Sequence, residues 1–307
     1  MAPTLFWIGL GNMGRGMVKN ITEKASLDQP LMIYNRTKQR SIDLSEKLEA
    51  GKTVVVDSIS EGVSKADIVF FNLANDKVVE ATVAEVLKSD VTGKLFIDCS
   101  TVHPETSDKV GKIFTDAGAE FVVVPVFGAP ATADAGGLVA VMAGPKASVD
   151  KAKPYFKGVT ARVEIDMSDK PYGKALTLKV IGNTFVFAMV EQLAEGLVLA
   201  ETTGLGTDYL HQWIESMFPG PFAAYSTRMI SGDYYKRDYP LFAVDLARKD
   251  AGHALSLAKS TGARLHTTEI GDMHLQKVKE HCGPMGDVAG IYGAVRMEAG
   301  LKYENGE

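Results

Sequence analysis

Up to about residue 165, short runs of apolar residues alternate with polar stretches of helical length. The runs Thr4 to Ile8, Leu31 to Tyr34, Thr53 to Val56, Ile68 to Leu73, Leu95 to Asp98, Phe121 to Val126, Leu138 to Ala143 and Arg162 to Ile165 predict strands. Between the early ones lie Met13 to Lys24, Lys38 to Ala50 and Val78 to Leu87, each compatible with a helix. Near-continuous apolar strands separated by helices build a parallel sheet covered on both faces, so residues 1–165 are expected to form a doubly wound α/β domain.

Beyond Asp166 the β-branched runs stop and helical periodicity continues to the end, which predicts an all-α second domain over 166–307. The stretch from Tyr172 to Thr203 contains no Pro and sets Leu176, Lys179, Asn183, Val186, Val190, Ala194 and Leu197 at three- and four-residue spacing, one face of a helix. Thr184, Ala188, Glu191 and Glu195 fall on the other side, so a long amphipathic helix is expected to leave the first domain and start the second. Pro219-Gly220-Pro221 reads as a turn between helices.

Composition adds exclusions. In 307 residues, 33 Lys plus Arg stand against 38 Asp plus Glu, a net charge of −5 that gives no electrostatic reason to expect nucleic acid or an anionic membrane surface as partner. The most apolar helical stretch, Val180 to Val190, is bounded by Lys179 and Glu191, short of the ~20 apolar residues of a membrane span. The strand pattern begins by Thr4, so no signal or transit peptide is expected, and the tail Lys-Tyr-Glu-Asn-Gly-Glu carries no retrieval signal; with only Cys99 and Cys282 present, a cytoplasmic, reducing compartment is expected.

Ile8-Gly9-Leu10-Gly11-Asn12-Met13-Gly14 follows a predicted strand and opens a predicted helix, the context that gives G-x-G-x-x-G its meaning. Gly9 permits the tight turn, Gly11 lets the backbone approach a pyrophosphate, and Gly14 lets helix and strand pack closely, so the first domain is expected to be Rossmann-type and to bind a dinucleotide. After the next strand, where an acid would hold the ribose of NAD, the chain reads Asn35-Arg36-Thr37-Lys38. With Arg36 and Thr37 facing a 2′-phosphate and no acid to repel it, NADP(H) is the expected cofactor.

Lys179 and Asn183 lie at the N-terminal end of the apolar face of the long helix, where a lysine is costly unless it meets a polar group, and a lysine so placed suggests proton transfer. With these residues the sequence resembles the β-hydroxyacid dehydrogenase family, which includes 3-hydroxyisobutyrate dehydrogenase, glyoxylate/succinic semialdehyde reductase and 6-phosphogluconate dehydrogenase. Gly9 to Gly14 matches its G-L-G-x-M-G, Asn35-Arg36-Thr37 its NADP-associated N-R-T, and Asp98-Cys99-Ser100-Thr101 its D-x-S-T. Leu73-Ala74 falls on its Leu-Pro cofactor segment. Gly173 through Lys179 to Asn183 is similar to G-x-G-x-x-x-K-x-x-N-N, with Ala175 and Gly182 as departures, and Lys249-Asp250 resembles its late K-D.

The resemblance implies an NADP(H)-dependent oxidoreductase that moves a hydride between the nicotinamide and a carbonyl or hydroxyl carbon of a small molecule, with Lys179 as general acid/base and Asn183 orienting the substrate oxygen. It further implies that Leu73, Ala74, Thr101 and Lys249 contact the cofactor, that Ser100 and Gly128 contact substrate, and that the chain forms a homodimer or higher homo-oligomer. The substrate loop departs from P-V-S-G-G to Pro125-Val126-Phe127-Gly128-Ala129. Phe127 thus either shapes the pocket for a bulkier, less polar substrate or packs beneath the loop. An imine reductase, whose group replaces the lysine, and a non-catalytic NADPH-binding sensor or scaffold are the competing readings, and Lys179 argues against both.

No zinc-like spacing joins His274, His281 and Cys282, and no metal is expected. Cys99 reads as a small residue at a strand end. Tyr234, Tyr235 and Tyr239 with Lys236 and Arg237 read as a loop bordering the cleft or a subunit contact.

Overall fold

The computed structural model describes residues 2–306. Its sheet comprises β1 (Leu5–Ile8), β2 (Leu31–Tyr34), β3 (Thr53–Val55), β4 (Ile68–Phe71), β5 (Leu95–Asp98), β6 (Glu120–Val123), β7 (Val126–Phe127), β8 (Leu138–Gly144) and β9 (Ala161–Ser168). The first six run parallel in the order β3-β2-β1-β4-β5-β6, the doubly wound arrangement whose strand order reverses beside β1. Helices α1 (Asn12–Lys24), α2 (Lys38–Lys47), α3 (Ile59–Lys65), α4 (Asp76–Val86) and α5 (Pro104–Asp116) make the crossovers, followed by α6 (Pro130–Asp134) and α7 (Lys146–Ala152).

Alternation within the strands fills two cores. Leu5, Trp7, Leu31, Ile33, Phe70, Ile97 and Val122 pack on one face, while Phe6, Ile8, Met32, Val69, Phe71, Phe96 and Phe121 pack on the other. The near-continuous apolar runs of these strands follow from a sheet buried on both sides.

The expectation of a wholly parallel sheet needs one correction. The run Phe121 to Val126 divides at Val124-Pro125 into β6 and β7, and β8 pairs antiparallel to both, with β9 parallel to β8 at the edge. Proline lacks the amide a continuing strand would use, so the chain leaves β6 and re-enters the sheet against β8.

Helix α8 (Tyr172–Thr202) is 31 residues long. It is followed by α9 (Thr207–Met217), α10 (Pro221–Ile230), α11 (Asp233–Lys236), α12 (Val244–Thr261), α13 (His266–Cys282) and α14 (Ile291–Glu298). Gly220, with φ of 87°, turns the chain between α9 and α10, where Pro219-Gly220-Pro221 was expected to do so. The chain divides into two compact units, Met1–Lys179 and Val180–Glu307, later than the expected division of 1–165 and 166–307. The cause is packing: β9 continues to Ser168, and Tyr172, Ala175 and Leu176 join the core beneath β6.

In the second unit Phe187, Val190, Leu193, Ala194 and Leu197 of α8 pack with Val244, Ala247 and Ala251 of α12, Leu275 and Val278 of α13, and Tyr292 of α14. Leu176, Val190, Ala194 and Leu197 are fully buried, as the periodicity requires. The helix is nevertheless not amphipathic. Glu191, expected on the polar side, is buried, whereas the apolar Ile181, Phe185 and Leu199 are exposed. By length and composition alone α8 is apolar enough to cross a membrane, but half of its apolar stretch is buried inside the protein, as in a core helix.

Candidate functional site

The glycine loop stands at the carboxyl end of β1, where the order of strands reverses. Its glycines have separate local causes. Gly9 has φ of 99°, and a Cβ there would strike the Asn72 carbonyl; a Cβ on Gly14 would strike the Gly9 carbonyl. Gly11 has an ordinary φ of −71° and a Cβ on it would meet nothing within 4 Å. The protein itself does not demand glycine at position 11, so the space above its backbone fits a close-lying ligand. Helix α1 begins at Asn12 without a side-chain cap or an acid in its first turn, which suits an anion such as a pyrophosphate.

The neighbouring strand ends are laced to this loop. The Gly9 amide donates to the Tyr34 carbonyl at 2.9 Å, and the Leu10 amide to Asn35 Oδ1 at 3.0 Å. Asn35 Nδ2 in turn donates to the Thr37 carbonyl at 3.1 Å. Asn35 therefore braces β2 against the glycine loop. Arg36 and Thr37 follow it in the open, and Lys38 is drawn aside to Asp57 at 2.5 Å, an exposed pair that also holds the Asp57 carboxyl below its usual range.

On the other side of β1, the Asn72 amide donates to the Ile8 carbonyl at 3.0 Å, and Asn72 Nδ2 to the Cys99 carbonyl at 2.8 Å. The Leu73 amide donates to Ser100 Oγ at 2.8 Å, and the Ser100 amide to Asp98 Oδ1 at 2.7 Å. Leu73, Ala74 and Thr101 thus lie on the same rim as the glycines, Ala74 exposed and Thr101 half-buried. Ser100 is fully buried and its hydroxyl serves the Leu73 amide, so its placement is that of a brace beneath the rim. Burial also pushes the Cys99 thiol well up, which leaves it protonated and inert.

Lys179 is placed by the start of α8. Gly173 lies so close to α5 that a Cβ would stand 2.6 Å from Asp108 Oδ2 and 2.8 Å from the Pro104 carbonyl; its amide donates to Asp108 Oδ1 at 2.8 Å. Tyr172 packs edge-on to Phe121 at 5.1 Å. With its first turn docked in this way, α8 carries Lys179 into burial, 8% exposed, with Nζ 4.3 Å from the centroid of the Phe127 ring. Phe127 ends β7 and is half-buried; Gly128 follows, exposed, with φ of 146°.

In the second unit, Asn183 is buried one turn after Lys179 on the same helix and donates from Nδ2 to Asp250 Oδ2 at 2.7 Å. Lys249 Nζ lies 3.1 Å from Asp250 Oδ1. Asp250 is the residue whose role sequence reasoning missed. Its signal was available: it falls on the small, apolar face of α12 with Ala247, Ala251 and Ala254, where a carboxylate is buried and must be partnered.

His274 is buried and ion-paired: Nδ1 lies 2.7 Å from Glu191 Oε1 and Nε2 3.1 Å from Glu298 Oε1. Tyr234 corrects another expectation, because it is buried among Tyr292 and Tyr303 rather than in a bordering loop or contact surface; Tyr239 alone of the three is strongly exposed. A cavity of about 590 Å³ lined by Lys24, Asp67, Leu95, Glu120 and Tyr155 opens at the amino ends of the strands, the opposite end of the sheet from the glycine loop.

Two family models match the chain. The NAD binding domain of 6-phosphogluconate dehydrogenase covers residues 4–167, and a domain described as NAD-binding of NADP-dependent 3-hydroxyisobutyrate dehydrogenase covers 173–295. The NADH-dependent oxidoreductase ucdB of Aspergillus ustus is 37% identical over 292 residues, 95% of this chain and 98% of its own. Glyoxylate/succinic semialdehyde reductase 1 of Arabidopsis thaliana is 28% identical over 280 residues, 89% and 91% of the two chains. The fold is shared with Mycobacterium tuberculosis 3-hydroxyisobutyrate dehydrogenase, solved with L-serine, at a TM-score of 0.79 and 23% identity over 96% of this chain and 100% of that one.

Proposed function

We propose that this chain, which belongs to the β-hydroxyacid dehydrogenase family, reduces a carbonyl carbon of a small substrate with NADPH, or oxidises the corresponding alcohol, with Lys179 as general acid and base. Membership makes it an NAD(P)-binding oxidoreductase acting on CH–OH or C=O groups. The observation that carries the finer reading is the burial of Lys179 on α8 against Phe127, one turn ahead of the buried Asn183. An ammonium set there is poised to give its proton to an oxygen as negative charge develops, and its neutral amine to take one back in oxidation. Asn183, whose amide donates to Asp250, is the residue that would orient the substrate oxygen. When bound, the nicotinamide supplies the hydride; the protein supplies position and the proton.

The space above Gly11 and the uncapped start of α1 would hold the pyrophosphate, with Leu73, Ala74 and Thr101 along the rim toward the nicotinamide. The Aspergillus relative is named for NADH. What supports NADPH here is Arg36, exposed beyond β2 with Thr37 beside it, while the nearby acid Asp57 is taken up by Lys38. Phe127 in the substrate loop, together with the engaged Ser100 hydroxyl, favours a less polar carbonyl compound than a small hydroxyacid. We place the enzyme in the cytoplasm and assemble it as a homodimer through Leu205, Tyr209, Trp213 and Met217, large apolar residues at four-residue spacing that a single chain leaves exposed.

A panel of small aldehydes, ketones, semialdehyde acids and imines, each followed by NADPH absorbance, tests the reading. Turnover of carbonyls supports it. Turnover of imines alone would move the chain to imine reduction, and binding of NADPH without turnover of any class would favour a sensor or scaffold.

A further inference from the structure

Phe127 and Lys179 come from distant parts of the first unit and are brought together by two fixed pieces of backbone. Phe127 is held at the sheet edge by its pairing with Val139, and Gly128 behind it is locked, since a Cβ there would stand 2.6 Å from Leu138 Cδ2. Lys179 is held by the docked first turns of α8, where Ala175 and Leu176 are fully buried. Neither element is free to retreat from the other. The ammonium lies 4.3 Å from the ring centroid, well inside the range in which an aromatic face attracts a cation.

A buried ammonium has lost much of its water. The negative face of the ring replaces part of that solvation, and it does so for the charged form, since a neutral amine gains little from the ring quadrupole. A benzene ring also offers no hydrogen-bond acceptor, so it fixes the ammonium on one side without competing for the protons it must deliver. We infer that Phe127 is a positioning residue for Lys179, its ring face holding the ammonium in place for proton donation. The inference rests on the proposed role of Lys179 and adds the device that aims it.

The test compares Phe127→Leu, which keeps apolar bulk and loses the ring, with Phe127→Tyr, which keeps the ring; Phe127→Met serves as a second ring-free variant if the first melts early. Trace acetylation of the full-length protein with acetic anhydride at one fixed pH, read by mass spectrometry, reports the reactivity of Lys179 relative to the exposed Lys174 of the same helix. The ring-free variants should react roughly three- to thirtyfold faster at Lys179, with the Tyr variant unchanged. Their kcat on a carbonyl of the panel should fall while NADPH affinity holds, and Tyr should restore it. Unchanged Lys179 reactivity in a folded Phe127→Leu protein overturns the inference, as does equal loss in the Leu and Tyr variants. Lys179→Met, run alongside, separates the two claims. Loss of turnover there with no change of reactivity in Phe127→Leu removes the positioning role alone, whereas normal turnover there removes the role of Lys179.

Discussion

The rim at the carboxyl ends of β1, β2, β4 and β5 and the helix interior around α8, α12 and α13 position polar groups by different means. On the rim the main chain supplies the donors: the amides of Gly9, Leu10, Asn72 and Leu73 each find an acceptor at a neighbouring strand end, and that of Ser100 finds Asp98 at the end of its own. In the helical unit, side chains hold side chains, Asn183 on Asp250 and Glu191 on His274, across 67 and 83 residues of sequence. A backbone-built site demands particular residues where a Cβ or a φ angle would obstruct it. A side-chain-built one demands pairs, and removing either partner strands the other in low dielectric.

If that contrast is right, the two regions should fail differently. The largest effect is expected from Asp250→Ala, which takes from Asn183 its hydrogen bond and from Lys249 its ion pair. Breaking such a pair from one side costs about 3–5 kcal/mol, to be read as an early urea midpoint. A midpoint within error of wild type would show that Asp250 is not the anchor of the second unit. Gly11→Ala should do the reverse. Its backbone is already ordinary and a Cβ meets nothing of the protein, so stability should hold, while overpacking against the cofactor weakens NADPH binding by about 1–3 kcal/mol. Retained affinity would mean that no ligand approaches that backbone.

Arg36→Ala sharpens the comparison at the open end of the rim. Loss of a charge-assisted contact should weaken NADPH by about 1.5 kcal/mol, roughly tenfold, and leave NADH alone. Equal effects on both cofactors, or none, would remove the argument for NADPH. The smallest effect is expected at the buried histidine. The hydrogen bond to Glu191, aided by Glu298, holds His274 above its ordinary value of 6.5. A group raised on folding contributes stability that is fully present below the unfolded value and lost as pH climbs through the folded one. Melting temperature should therefore decline from about pH 6.5 upward, and Glu191→Gln should flatten that decline; an equal slope in both proteins would exclude the pair as its source.

The same contrast explains what could be read in advance. Gly9 and Gly14 announce themselves by spacing because the turn and the helix approach exclude a side chain, Gly11 by the ligand space proposed above it, and the strands because both faces are buried. Lys179 and Asn183 were legible as polar residues on an apolar face. Asp250 was legible in the same way, as a carboxylate on a small, apolar face, but its partner Asn183 and the partners of His274 lie on other helices, and no local pattern couples them. Ser100 shows a third case: its motif was legible, but that its hydroxyl is turned inward to Leu73 depends on how β4 and β5 end. The edge beyond β6 escaped for a similar reason, since Pro125 breaks an otherwise continuous apolar run without saying which way the chain returns.

Turnover of Lys179→Met tests the central claim most directly. Methionine keeps the length and apolar stem of lysine, so the fold should survive, as a thermal melt can verify, and NADPH affinity should be kept because the glycine loop and Arg36 lie in other elements. With carbonyl substrate and NADPH saturating, kcat should fall by about 10² to 10⁴, the contribution of general acid catalysis. A folded Lys179→Met protein that binds NADPH and reduces the carbonyl at a near-normal rate would contradict the account.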